Sequence, residues 1–135
     1  MSAYKKQRVG TLIEQFVCDK YNLSYNKRQR AHGFFDCYDE DTLYEIKASN
    51  VKSNRFIIDV DNHNKLFLAN GKYIFIVYQL IDKDHDLQLI TDIDIKQIKI
   101  IDSQTIDSIL LKHREEQYSK KNTKRYKRIR INEVL

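Results

Sequence analysis

The sequence predicts an α/β fold in which a central mixed β-sheet is flanked by helices. An amphipathic helix pattern opens the chain, several short runs rich in β-branched and aromatic residues follow, and further helical patterns separate these runs. Hydrophobic residues make up 41% of the 135 positions, with 3 Gly and no Pro, which is typical of a folded chain. A chain of this length forms one core, so we expect a single domain over residues 1–135.

The first element is predicted to be a helix from Ala3 to Tyr21. Its apolar residues recur at helical spacing and form one face: Val9, Leu12, Ile13, Phe16 and Val17. Glu14 lies on the border of this face, beside Gly10, because successive helical residues are about 100° apart. We therefore expect Glu14 to stand at the edge of the helix contact with the sheet.

Three strands are predicted next. Residues 23–30 have an extended pattern with a basic end. Residues 34–39 and 42–49 alternate as two strands around a short acidic turn, which predicts a β-hairpin.

The second half of the chain alternates strand and helix patterns. Residues 55–60 are predicted to be extended, and residues 61–70 to form a short helix capped by Asp61 or Asn62, with Gly71 just past its end. Residues 72–80 are almost entirely apolar or aromatic, which favours a central strand buried on both faces.

The last elements complete the sheet. Residues 86–95 are predicted to be the hairpin partner of the central strand, and Ser103 to cap a helix that continues through Leu111. Residues 126–135 are predicted to form an edge strand.

An acid–acid–lysine constellation lies in the predicted hairpin. Asp36 stands at the start of one strand, and Glu45 and Lys47 stand on the next. Adjacent strands are about 5 Å apart, and residues two positions apart point to the same face of a strand. The three side chains can therefore converge, while Ile46 buries the opposite face.

Two carboxylates held this close repel each other unless a cation lies between them. Oxygen ligands without neighbouring Cys or His favour Mg²⁺ or Mn²⁺ over Zn²⁺. Such a metal would polarise a phosphodiester, and a nearby lysine would orient water and stabilise the developing charge. The alternative is a solvated hairpin with cross-strand charge pairs, since such spacings also arise by accident.

These motifs resemble those of the PD-(D/E)xK nucleases, the restriction-endonuclease-like superfamily. The resemblance covers about residues 8–80 and includes the Glu14 helix, the run ending in Asp36, the EIK motif at 45–47 and the core strand. In spacing and size the chain looks most similar to archaeal Holliday-junction resolvases, and small type II restriction enzymes resemble it nearly as well. The proline of the motif's name is absent, because Phe35 precedes Asp36.

The resemblance implies a restriction-endonuclease-like fold and a metal-dependent DNA endonuclease. Asp36, Glu45 and the Ile46 carbonyl would be metal ligands, Lys47 would lie at the attacking water, and Glu14 would act through water. A homodimer is expected, because cutting two strands needs two sites and the chain offers one. A non-catalytic DNA-binding module on this fold is the alternative from another class, and RNA is an alternative substrate.

Basic residues supply a candidate nucleic-acid surface on a chain of net charge +5. One cluster precedes the predicted site, and another lies in the C-terminal segment, where it is interleaved with Tyr118 and Tyr126. The predicted contacts are Lys27, Arg28, Arg30, Lys124, Arg125, Lys127 and Arg128.

The sequence also argues against several other classes. No apolar run is long enough for a membrane span and no signal-peptide pattern is present, so we expect a soluble cytoplasmic protein without membrane contact. Cys18 and Cys37 lack the spacing of a zinc site or a disulfide framework, so both are expected to be reduced and partly buried.

Overall fold

The computed structural model describes residues 3–28, 33–81 and 90–135. The elements in chain order are α1 (Ala3–Tyr21), β1 (Ser24–Tyr25), β2 (Cys37–Tyr38), β3 (Leu43–Asn50), β4 (Arg55–Asp59), α2 (Val60–Leu68), β5 (Lys72–Leu80), a 3₁₀ turn (Ile90–Asp92), β6 (Ile93–Asp102), α3 (Ser103–Leu110), β7 (Glu116–Gln117), β8 (Arg125–Arg130) and α4 (Ile131–Val134). This is the predicted α/β class.

A five-stranded mixed sheet forms the centre, in the order β1-β2-β3-β5-β6. The β3 and β5 strands are parallel, with Glu45 opposite Tyr73 and Lys47 opposite Phe75. The other pairs in this sheet are antiparallel. As predicted, β5 is buried on both faces, and residues 73–78 are buried because apolar side chains cover both sides of the strand. It is an interior strand between β3 and β6 rather than the central one, since β3 occupies the middle of the sheet.

The two faces of this sheet pack against different elements. On one face, Val9, Ile13 and Val17 of α1 pack with Ile74 and Ile76 of β5. On the other face, α2, α3 and a second sheet enclose the other core cluster: Phe56, Ile58, Leu66, Tyr73, Phe75, Val77, Ile106, Leu110, Ile129 and Val134. Alternation along β5 therefore joins two cores through one strand.

The C-terminal strand differs from the prediction. β8 ends at Arg130, and residues 131–134 form α4. β8 is also not an edge strand, because it lies at the centre of a separate three-stranded sheet in the order β4-β8-β7. Ile129 lies opposite Phe56 and is fully buried, so the hydrophobic contact with β4 explains the central position.

Helix starts were predicted a few residues too late. The Asp59 side chain caps α2 by accepting a hydrogen bond from the backbone of Asn62 (2.9 Å), so neither Asp61 nor Asn62 is the cap. The Asp102 side chain likewise caps α3 by accepting from the backbone of Thr105 (2.9 Å), which makes Ser103 the first helical residue. In both cases the capping acid is the last residue of a strand, where the extended backbone suits an N-cap.

The end of α2 also uses its residues differently. Asn70 has a positive φ of 59°, whereas Gly71 does not. A Cβ atom at Gly71 would lie 2.9 Å from the Leu43 carbonyl oxygen and would overlap the Leu66 side chain. Glycine is therefore needed here for close approach to β3 rather than for a left-handed turn.

Three predicted strands differ in extent. In residues 23–30 only Ser24–Tyr25 forms a strand within the described part, and 29–30 lie outside it. In residues 34–39 only Cys37–Tyr38 forms a strand. The antiparallel partner of β5 follows it as predicted, but β6 runs from Ile93 to Asp102, residues 90–92 form a 3₁₀ turn, and residues 86–89 lie outside the described part. None of the helices in the described ranges combines the length and hydrophobicity that a transmembrane segment needs.

Candidate active site

Asp36 lies at the point where the β2–β3 hairpin opens. Its backbone nitrogen donates to the Tyr44 carbonyl (2.8 Å), one residue beyond the last paired position of the hairpin, Cys37 opposite Tyr44. Its carboxylate oxygen Oδ2 accepts a hydrogen bond from the backbone nitrogen of Ile46 (2.8 Å). The side chain of Asp36 therefore takes the place of the next ladder bond and is held against the EIK segment.

The side chains of β3 alternate as the sequence predicted. Ile46 packs on the α1 core cluster, whereas Glu45 and Lys47 point to the opposite face. The backbone N–H and C=O of one strand residue point to the same neighbour. Because the Ile46 N–H faces Asp36, the Ile46 carbonyl faces the same side.

Glu45 is only 8% exposed, and its surroundings oppose its ionisation. Burial raises the pKa of Glu45 to about 10, the positive charge of Lys47 acts in the opposite direction, and the Asp36 carboxyl raises the pKa further by its charge and by a hydrogen bond. The negative charge of Glu14 adds to this effect. Glu45 thus belongs to a cluster of carboxyl groups that do not all ionise together beside a single lysine.

Glu14 reaches this cluster from α1, as its position on the helix border predicted. The residue is half-buried, and burial together with the charge of Asp36 and a hydrogen bond to it raises the pKa of Glu14 to about 7. Three carboxyl groups, from a helix, from the open end of a hairpin and from a strand, therefore meet beside Lys47. The structure brings together all four residues that the sequence predicted to be catalytic.

The donor set of this cluster fits a partly hydrated oxygen-ligated cation. Within the ranges that the structure describes, no group of three His, Cys, Asp or Glu side chains is arranged to hold a metal ion. The groups that could bind the cation directly are the Asp36 and Glu45 carboxylates and the Ile46 carbonyl. Mg²⁺ commonly binds through one or two carboxylates and keeps several water molecules, so this smaller set is sufficient for it.

The first basic cluster lies next to Asp36, but in a turn rather than a strand. Lys27 and Arg28 are exposed, and the Arg28 nitrogen donates to the Asn26 side chain (3.0 Å). Asn26 is buried, and its backbone nitrogen donates to the carbonyl of Asp36 (3.0 Å). The turn is therefore tied to the Asp36 backbone, while the predicted contact Arg30 lies outside the described residues.

The second basic cluster divides into two pairs. Lys127 donates to the Leu110 carbonyl (2.8 Å), and Arg128 forms a two-bond ion pair with Glu116. Lys127 therefore ties β8 to α3, and Arg128 ties β8 to β7. Lys124 is exposed near the β7–β8 turn, and the exposed Arg125 makes one long side-chain contact among the described residues, with Glu115 (3.7 Å), so this pair has more freedom to meet a phosphate.

Arg55 was not among the predicted site residues, yet it shares a cavity of about 600 Å³ with Lys47. The cavity is also lined by Gly10 of α1 and by Ser53 and Asn50 after β3. The sequence contains a signal for Arg55, because β4 alternates exposed and buried residues and Arg55 falls on the exposed set. The sequence does not show that Arg55 lies near Lys47, because the two residues meet only through the fold.

His63 is a buried structural residue. It is 3% exposed, with Nδ1 2.7 Å from the Tyr73 hydroxyl and Nε2 2.9 Å from the Asp107 carboxylate. These bonds join α2, β5 and α3 within the second core cluster. Cys18 and Cys37 are buried and free, as expected.

The model of the PD-(D/E)XK nuclease superfamily domain matches residues 1–135 of this chain. The chain belongs to this superfamily. Its members are nucleases, so the substrate is a nucleic acid. These nucleases generally use divalent metals. No curated protein and no solved structure matches the chain. The observed sheet, with Asp36, Glu45 and Lys47 at the opening of its hairpin, agrees with the fold of this nuclease superfamily.

Proposed function

We propose that this protein is a Mg²⁺-dependent endodeoxyribonuclease that hydrolyses phosphodiester bonds at the Asp36–Glu45–Lys47 cluster. The observation that carries the proposal is the convergence of Glu14, Asp36 and Glu45 beside one lysine, in a chain of this nuclease superfamily. A buried carboxyl cluster costs free energy in a metal-free protein, so it suits a site that a divalent cation completes. Mn²⁺ fits the same oxygen donors.

Each residue has a distinct role in this proposal. Asp36, Glu45 and the Ile46 carbonyl hold the cation, which when bound would neutralise charge on the phosphate and lower the pKa of a water molecule. Lys47 hydrogen-bonds the attacking water, orients it toward phosphorus and stabilises the charge that develops on the phosphate oxygens. Glu14 orients a second water molecule at the edge of the site. The hydrogen bond from Ile46 to Asp36 keeps the Asp36 carboxylate in place before substrate binds.

Cleavage of DNA by variants tests the assignment. Asp36→Ala and Glu45→Ala should abolish cleavage in Mg²⁺ and leave DNA binding nearly intact, because both groups act on the chemistry rather than on phosphate affinity. Glu40→Ala is the matched control, since it removes an exposed carboxylate from the turn of the same hairpin. Full cleavage by either site variant would contradict the assignment, and loss of cleavage by the control would point to the fold of the hairpin instead.

The finer substrate class is either a branched DNA, as for Holliday-junction resolvases, or a specific duplex sequence, as for type II restriction enzymes. Incubation with a plasmid, a four-way junction and single strands separates the two. Discrete plasmid fragments favour restriction, and cutting confined to the junction favours resolution. A non-catalytic DNA-binding module would bind all of these without cutting any, so wild-type cleavage in Mg²⁺ decides against that alternative.

We further propose that each chain is a single nuclease domain and that two copies act together as a homodimer. Cutting both strands needs two sites, and each chain carries one such cluster among the described residues. Light scattering after size exclusion, with and without DNA, measures the mass directly. A monomer that nevertheless cuts both strands in one binding event would refute this arrangement.

A further inference from the structure

The three-stranded sheet β4-β8-β7 has one buried face and one outward face. Phe56, Ile58 and Ile129 point inward, into the second core cluster. Residues that pair across strands share a face, and the register places Arg55 opposite Arg130, Ile57 opposite Arg128, and Tyr126 between Asp59 and Glu116. We call this set, together with Tyr118, the outward face.

The outward face combines exposed apolar groups with arginines. Ile57 is 44% exposed and lies beside Arg128, and Tyr118 is 45% exposed. The Tyr118 and Tyr126 rings have their centroids 4.5 Å apart at an angle of 44°. Tyr118 is the exposed ring of the pair, and Tyr126 is half-buried beneath it. Exposed aromatic rings beside positive charge are the components with which proteins bind single strands, since bases stack on the rings and phosphates contact the cations.

The charges on this face also point to an anionic ligand. Arg55 and Arg130 are directly opposite each other on neighbouring strands, and like charges in that position repel. The carboxylates near these arginines have hydrogen-bond partners of their own, because Glu116 pairs with Arg128 and Asp59 caps α2. The charge of Glu116 also acts on Arg55, and that of Glu133 acts on Arg130, so the repulsion between the two arginines is only partly balanced. A phosphate backbone would relieve the repulsion between the two arginines.

The outward face leads directly to the candidate active site. Arg55 and Ile57 line the same cavity as Lys47, together with Ser53 and Asn50. From Arg130 to Tyr126 the strand extends about 13 Å, at roughly 3.3 Å per residue. A chain of nucleotides could therefore run from the phosphate at Lys47, past Arg55, to the tyrosine pair.

We propose that the outward face binds an unpaired nucleic-acid strand that continues from the cleaved phosphate, with Tyr118 and Tyr126 stacking on bases and Arg55 and Arg130 contacting phosphates. The proposal rests on the proposed nuclease function and narrows its substrate to one that contains a single-stranded segment. Paired bases are stacked on each other within a duplex, so the tyrosine rings favour the unpaired strand.

Fluorescence anisotropy tests the proposal with labelled oligo-dT, oligo-rU and a duplex of the same length, in Ca²⁺ to limit cleavage. Wild-type protein should bind at least one of the single strands more tightly than the duplex. Tyr118→Ala should weaken single-strand binding by about 10-fold, the effect of one lost stacking contact, and change duplex binding little. Tyr118→Leu should weaken single-strand binding by a similar factor, because the stacking ring is lost. This variant keeps an apolar contact with Tyr126, so it separates stacking from packing.

Tyr38→Ala is the matched control, since Tyr38 is 41% exposed but lies beside the acidic hairpin turn. For the charges, a double variant Arg55→Gln and Arg130→Gln should flatten the slope of log K against log salt by about 1.4, at about 0.7 per phosphate of a single strand. The control pair Lys65→Gln and Lys20→Gln removes two exposed charges from helices and should leave the slope unchanged.

Single-strand binding that is unchanged in both Tyr118 variants would overturn the proposal, as would tighter binding of the duplex than of either single strand by the wild type. Circular dichroism confirms that each variant is folded. Cleavage is measured in parallel in Mg²⁺ with the wild type and the Asp36→Ala variant. Metal-dependent cleavage with unaffected Tyr118 variants would refute the outward face alone, whereas failure of all cleavage would refute the nuclease assignment.

Discussion

Replacing Glu45 by Gln should stabilise the metal-free protein, although it removes a residue of the proposed site. Burial, with Asp36 and Glu14 nearby, raises the pKa of Glu45 from 4.5 to about 10 in the folded chain. The folded state therefore retains a proton that the unfolded state loses between these values. An amide needs no proton and can still donate a hydrogen bond to Asp36.

The sign and size of the effect follow from proton linkage. Below pH 4.5 both states hold the proton, and the pKa shift costs nothing. Above it, the free energy of unfolding of the wild type falls by about 1.4 kcal/mol per pH unit until the folded pKa is reached. At pH 7 the accumulated loss is on the order of 3 kcal/mol, which Glu45→Gln should avoid.

Urea unfolding followed by circular dichroism, in EDTA and from pH 5 to 8.5, measures this difference. The free energy of unfolding of Glu45→Gln should exceed that of the wild type by an amount that grows with pH, whereas the exposed control Glu40→Gln should remain parallel to the wild type. Added Mg²⁺ should reverse the order, because a cation bound to the ionised Glu45 stabilises only the wild type. Parallel curves for wild type and Glu45→Gln in EDTA would refute the account of a charge cluster.

Three further outcomes are expected. Lys47→Met should lower the cleavage rate at saturating DNA by roughly two to four orders of magnitude, because a group that stabilises developing charge is lost. The circular dichroism of the variant should be unchanged. An unchanged cleavage rate would show that Lys47 only balances the charge of Glu45. Gly71→Ala should lower the free energy of unfolding, measured in urea, by about 1–3 kcal/mol, since its Cβ would overlap Leu66 and the Leu43 carbonyl. Ala69→Gly, in the same turn, is the control for turn flexibility. Equal stability of Gly71→Ala and the wild type would refute the close contact. The double variant Lys124→Gln and Arg125→Gln should flatten the salt dependence of DNA binding without loss of stability. Arg128→Gln should instead lower the free energy of unfolding, because Glu116 loses its partner. The reverse pattern would contradict the assignment of the first pair to phosphate contact and of Arg128 to the fold.

The sequence determined the elements and much of the candidate site. The helix over Ala3–Tyr21 follows from local periodicity, because its apolar residues form one face, and the buried strand β5 follows from an almost continuous apolar run. Alternation on β3 placed Glu45 and Lys47 opposite Ile46, and the helical period placed Glu14 on the border of α1. These are relations between residues close in sequence, which backbone geometry settles without the rest of the fold.

Only the tertiary structure decided how distant segments meet. That β8 pairs with β4 in a separate sheet, and not at the edge of the central one, depends on Ile129 packing opposite Phe56, a contact between residues far apart in sequence. The pairing of β8 with β7 brings Arg128 to Glu116, and the position of β4 brings Arg55 to the cavity of Lys47. The composition shows that the tail is basic, but which of its charges hold the fold and which meet a phosphate depends on partners supplied by long-range packing.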